Sequence, residues 1–75
     1  MKFKDVMGSY ELKEIEENCY RLMQEEFNIE VYRLPKGYII RHEEWSRGEE
    51  AKVEYVKCAN IKALNIALVD IIKEF

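Results

Sequence analysis

IEVYRLPKGYIIRHEE, residues 29–44, is the stretch whose reading decides the fold. Two runs rich in Val, Ile and Tyr, residue types that suit a pleated surface, flank a Leu-Pro-Lys-Gly turn. Pro35 presets φ at the first corner of that turn, and Gly37 supplies the positive φ that closes it. The stretch therefore reads as a β-hairpin with two possible registers. If 34–37 form the loop, Arg33 faces Tyr38 and Val31 faces Ile40. One sheet face then shows Ile29, Val31, Tyr38 and Ile40, and the other Tyr32, Leu34, Ile39 and Arg41. A three-residue loop with a bulge at Gly37 would instead pair Leu34 with Tyr38 and mix the two sets.

Before the hairpin, Leu12, Ile15, Cys19, Leu22 and Met23 recur at helical spacing, with Ser9 as an N-cap and glutamates in the first turns. This predicts a helix over 9–27, ended at Phe27-Asn28. Residues 1–8 are out of phase with that stripe. The break at Gly8-Ser9 predicts an arm of at most one turn, whose Phe3 and Val6 fold back on the core. Beyond the hairpin, WSRGEE (45–50) is a polar turn, and AKVEYVKC (51–58) alternates at period two as a third strand. Asn60 then caps a helix over 60–75, with Ile61, Leu64, Leu68, Ile71, Ile72 and Phe75 as its inward stripe.

The expected fold is α+β: a small α-β-β-β-α domain over 1–75, with a three-stranded antiparallel sheet and two helices packed on one face. Two helices cover one face of such a sheet and leave the other half-apolar.

Seventy-five residues allow one domain. A domain of this size buries only about 60% of its unfolded surface, so its margin of stability is thin and self-association would help. Cys19 and Cys58 allow one disulfide at most, and neither lies in a CxxC. No secretory h-region and no run of ~20 apolar residues is visible. The expectation is a cytoplasmic protein with both thiols reduced and no membrane partner.

The net charge is −3, with thirteen Glu against two Asp. Such a balance disfavours sequence-independent nucleic-acid binding, which rests on many Lys and Arg contacts to phosphate.

Catalytic and metal motifs are sparse. His42 is the sole histidine, HEEW lacks the second histidine of HExxH, and the two cysteines are far apart in sequence. Gly8, Gly37 and Gly48 are isolated, so no phosphate-cradling loop is present. No metal, cofactor or enzymatic activity is expected; an enzyme using His42 is the remote third reading.

Two residue sets suit binding. Tyr32, Arg33, Tyr38, Arg41, His42 and Trp45 are rich in the types that anchor interfaces. Glu25, Glu26, Glu30, Glu43, Glu44, Glu49 and Glu50 would form an acidic surface if they cluster. The expected function is a non-catalytic interaction module that binds a protein partner or a second copy of itself through a sheet face or the acidic surface. Its size and charge suit a regulator or inhibitor of the kind carried by mobile elements.

The order helix, three strands, helix over 9–75 is similar to that of double-stranded-RNA-binding domains, and ANIKALNIAL (59–68) resembles that family's last helix. The resemblance implies RNA contacts at the entry to the last helix, residues 60–64, where Lys62 is charged. It also implies contacts from the first helix, where Glu11, Glu14 and Glu17 would repel phosphate. Nucleic-acid binding through Arg47, Lys52, Lys57 and Lys62 is accordingly the alternative function, though nucleic acid is the less expected partner.

Overall fold

The computed structural model describes residues 2–45 and 50–73. Its elements run α1 (Phe3–Ser9), β1 (Lys13–Glu16), β2 (Cys19–Met23), β3 (Phe27–Leu34), β4 (Gly37–Glu44), β5 (Lys52–Cys58) and α2 (Ile61–Lys73). The strands form one antiparallel sheet in sequential order, so every connection joins neighbours.

The sheet has five strands, not three, and this corrects the expected architecture. The segment predicted as a helix over 9–27 is the hairpin β1–β2. Its apolar stripe is not a buried face, because Ile15 is 41% and Met23 61% exposed. Instead Tyr20 and Leu22 alternate with Cys19, Arg21 and Met23, and they face Val31 and Ile29 across β3. Asn18, at φ 63°, turns the chain back between the two strands. Five cross-strand partners on β3 outweigh the helical preference of the segment. With the first helix gone, the element order no longer follows the double-stranded-RNA-binding pattern.

The N-terminal arm is itself a helix. Phe3, Val6 and Met7 share one face of α1 and are buried. The Ser9 hydroxyl donates back to the Asp5 carbonyl oxygen at 2.8 Å, so Ser9 closes α1 and does not cap a following helix. Phe3 stacks on Tyr38 (ring centroids 5.3 Å apart) and meets Tyr20 edge-on at 5.1 Å.

β3 and β4 meet at Pro35-Lys36 in the first of the two registers, with Arg33 opposite Tyr38 and Val31 opposite Ile40. Gly37 has φ +108°, and a Cβ there would lie 2.6 Å from the carbonyl oxygen of Cys58. The Asn60 side chain accepts the Ala63 N–H at 2.8 Å and caps α2.

Both helices lie on one face of the sheet. Ile29, Val31, Ile40, Leu64 and Leu68 are fully buried between the layers, with Val6, Met7, Leu12 and Phe27 around them. Among the described residues, the opposite face carries no helix. Phe75, predicted at the end of the apolar stripe, lies outside the described residues.

Gly37→Ala should destabilise the fold by about 2 kcal/mol, because it combines a disfavoured φ with a backbone clash. A urea-unfolding midpoint unchanged by this substitution would contradict the close approach of the β3–β4 turn to the end of β5.

Candidate functional site: the helix-free sheet face

Side chains alternate across a strand, so burial of Ile29 and Val31 against the helices sends Glu30 to the other face. Its direct cross-strand partners there are Arg21 of β2 and Arg41 of β4. Glu30 is 7% exposed although no helix covers it, because its neighbours' side chains roof it over. Arg21 Nη2 and Arg41 Nη1 each lie 3.2 Å from a different Glu30 oxygen. The Tyr32 hydroxyl donates to Glu30 Oε2 at 3.1 Å, and Asn28 Nδ2 to Glu30 Oε1 at 3.4 Å. Arg41 reaches on to Glu43 at 3.2 Å.

Burial by itself would raise the Glu30 carboxyl. The hydrogen bonds from Arg21 and Tyr32, with the charges of Arg21 and Arg41, together outweigh it and hold Glu30 below the usual carboxylate range. The same arrangement pushes the Tyr32 phenol up, first through burial and then through its bond to Glu30. The Arg41 guanidinium is pushed up first by Tyr55 of β5 and then, against desolvation, by Glu43. Cys19, beside Tyr32, is raised by burial and then by the charges of Glu30 and Glu16. Cys58 is raised by burial alone. Both thiols are therefore protonated and poorly nucleophilic at neutral pH.

The pairing places Lys13, Arg21, Arg41 and Lys57 on this face with Glu16, Glu30 and Glu43. Four cations thus meet three carboxylates, a slight local excess of positive charge on an acidic chain. Met23 at 61%, Val53 at 41% and Tyr55 at 68% exposure stand around the network.

The predicted binding set divides between two faces. Tyr32 and Arg41 belong to the helix-free face, together with Glu30 and Glu43 from the acidic set. Tyr38 and His42 are on the helix-covered face, where Tyr38 stacks on Phe3 and His42 is buried against Phe27. Arg33 is exposed and lies over the Phe3 ring at 5.3 Å. Trp45 ties down the β2–β3 turn: its Nε1 donates to the Glu25 carbonyl oxygen at 2.8 Å, and its backbone N–H to that of Glu26 at 3.0 Å.

The acidic set likewise forms no single patch. Glu25 and Glu26 are exposed in that turn, Glu44 ends β4 on the helix side, and Glu50 is exposed before β5. Glu49 and Arg47 lie outside the described residues. Arg21, Asn28 and Tyr55 complete the site and were not singled out from sequence.

Among the described residues, no three His, Cys, Asp or Glu side chains gather as a metal site. No helix among them is long and apolar enough to cross a membrane. No family model matches the chain, and neither the curated proteins nor the solved structures include a significant match.

Glu30→Gln should cost about 2–3 kcal/mol at neutral pH. That is at or below the ~3–5 of a broken, fully buried pair, because both guanidiniums keep some solvent. A folded-state pKa below the unfolded value (~4.3) stabilises fully above that value. The contribution fades as pH falls through the lower, folded-state pKa. The stability gap between parent and Glu30→Gln should therefore be constant near neutrality and shrink below about pH 4 in urea titrations.

Proposed function

We propose that the chain is a non-catalytic interaction module whose helix-free sheet face receives an acidic surface or segment of a protein partner. The observation that carries this reading is the preordered, basic side-chain layer around Glu30. A buried ion pair contributes little net stability compared with apolar packing of the same volume. The network also leaves Arg21 Nε and Asn28 Oδ1 buried without a protein partner, so it falls short of full satisfaction. What it does provide is two guanidiniums and Tyr32 fixed in one arrangement. A partner then meets side chains whose ordering cost has already been met in folding. Exposed Met23 and Tyr55 beside these charges supply the apolar and aromatic contact such an interface uses.

The absence of catalysis is part of the same reading. The Glu30 lone pairs are engaged by donors, and the raised thiols are poor nucleophiles. A reducing, cytoplasmic setting is proposed as well. Cys19 and Cys58 are buried thiols, with Cys58 on the helix-covered face and Cys19 on the other.

A second reading, single-stranded nucleic acid on this face, draws on Tyr55 standing exposed beside Arg41 and Lys57. Glu30 and Glu43 in the middle of the surface count against it.

The test is photo-crosslinking in cells, with the probe at position 39, on the helix-free face between Tyr32 and Lys57, and a control probe at position 66 on the outer side of α2. A protein adduct specific to position 39, and lost on Met23→Ser with the fold intact, is the expected result. Adducts only from position 66 would move the interface to α2. Salt-sensitive retention of a homopolymer oligonucleotide, lost on Tyr55→Ala, would favour the second reading.

A further inference from the structure

The two outer strands of the sheet are built differently. β1 has only four residues and a register shift between Glu14 and Glu16, devices that discourage further pairing. β5 has seven residues, pairs with β4 without a break from Lys52 to Cys58, and contains no proline or glycine. Among the described residues, β4 is its sole strand neighbour.

We propose that β5 pairs antiparallel with β5 of a second copy, about a two-fold axis at Tyr55, giving a continuous ten-stranded sheet. This concerns the sheet edge and goes beyond the reading of the face.

Self-complementarity argues for a second copy as the occupant. Pairing Tyr55 with itself engages all seven residues, and it sets Lys52 opposite Cys58, Val53 opposite Lys57 and Glu54 opposite Val56. No like charges are directly opposed. The two Glu54 carboxylates approach only diagonally, at about 7–8 Å, on the helix-covered face, where each is exposed in the single chain. A shift by two residues toward the start of the strand would oppose Glu54 to Glu54. The opposite shift leaves residues 52 and 53 unpaired. In the central register the two exposed tyrosines pack together, flanked by Val53 and the stem of Lys57.

The helix layer fits the same axis. Asn65 accepts from the Tyr10 hydroxyl at 2.8 Å just beyond α1, which fixes the flank of α2 that faces that side. The other flank, toward the free edge of β5, then carries half-buried Ala63 and Ala67 with exposed Asp70 beside them, at ~100° per residue. Tyr55 lies about 10 Å back along β5 from Cys58, at ~3.3 Å per residue. The same distance along α2 from Ile61, at ~1.5 Å per residue, reaches Ala67. Small side chains thus stand where two α2 helices would approach across the axis, at about 8–10 Å. One strand and one helix flank offer fewer than the ~20–30 residues a side of a standard interface, so the dimer is expected at the micromolar end.

Sedimentation equilibrium across a wide concentration series tests this with two opposite substitutions. Val53→Lys opposes two lysine pairs to Lys57 and should weaken dimerisation about tenfold, whereas Val53→Glu opposes glutamate to lysine and should preserve or tighten it. Circular dichroism checks that both variants fold. A parent that stays monomeric at the highest concentration overturns the proposal, as does a dimer that both variants leave unchanged or that Ile66→Lys alone dissociates. A monomeric parent that still crosslinks a partner at position 39 refutes the dimer and leaves the face reading standing. A dimer without that crosslink does the reverse.

Discussion

The period-two geometry of β3 is the constraint on which the rest depends. Ile29 and Val31 are fully buried beneath the helices, so Glu30 between them must project from the opposite side. It does so at the centre of a five-stranded sheet, where an unpaired carboxylate would be costly. The strands on either side each place an arginine directly across from it. The hydrophobic core on one face and the charged network on the other follow from one alternation.

That alternation makes the two faces unlike. α1 brings Phe3 onto Tyr20 and Tyr38, while α2 seats Leu64 and Leu68 in the core. Both helices are thereby used on the same side. The remaining face sets exposed Met23, Val53 and Tyr55 around a charged network. The added β2 contributes Arg21 beside Glu30, and β5 contributes Tyr55 and Lys57 beside Arg41 and Ile39. Polar groups here are partnered mostly by one another, which allows a helix-free face to persist in water.

Legibility in the sequence tracked how local the signal was. The β3–β4 turn was readable because Pro35 and Gly37 impose their own backbone angles, and Asn60 because its cap is satisfied within one turn of α2. β1–β2 was not readable, since Leu12, Ile15, Cys19, Leu22 and Met23 also fit a helical period. What separates the alternatives is long-range pairing of β2 with β3, to which a local window is blind. Asn18, tolerant of positive φ, was the available local hint of a turn. The site suffered in the same way. Tyr32, Arg41, Glu30 and Glu43 had been sorted by chemical type into a basic-aromatic set and an acidic set. The sheet interleaves them, and a type-based sorting cannot anticipate that without the register.

The network also bears on the register of the strands. A one-residue slip of β3 would drive Glu30 into the core. A two-residue slip against β4 would preserve the apolar face yet oppose Glu30 to Glu43 or Ile39 in place of Arg41. Against β2 the same slip would oppose it to Cys19 or Met23. Hydrophobic alternation alone does not distinguish these even-numbered slips, whereas a single carboxylate flanked by two arginines does. Such pairs stabilise little, but they penalise the wrong alignment heavily. The groups that favour the native register are thus the ones that hold one another on the helix-free face.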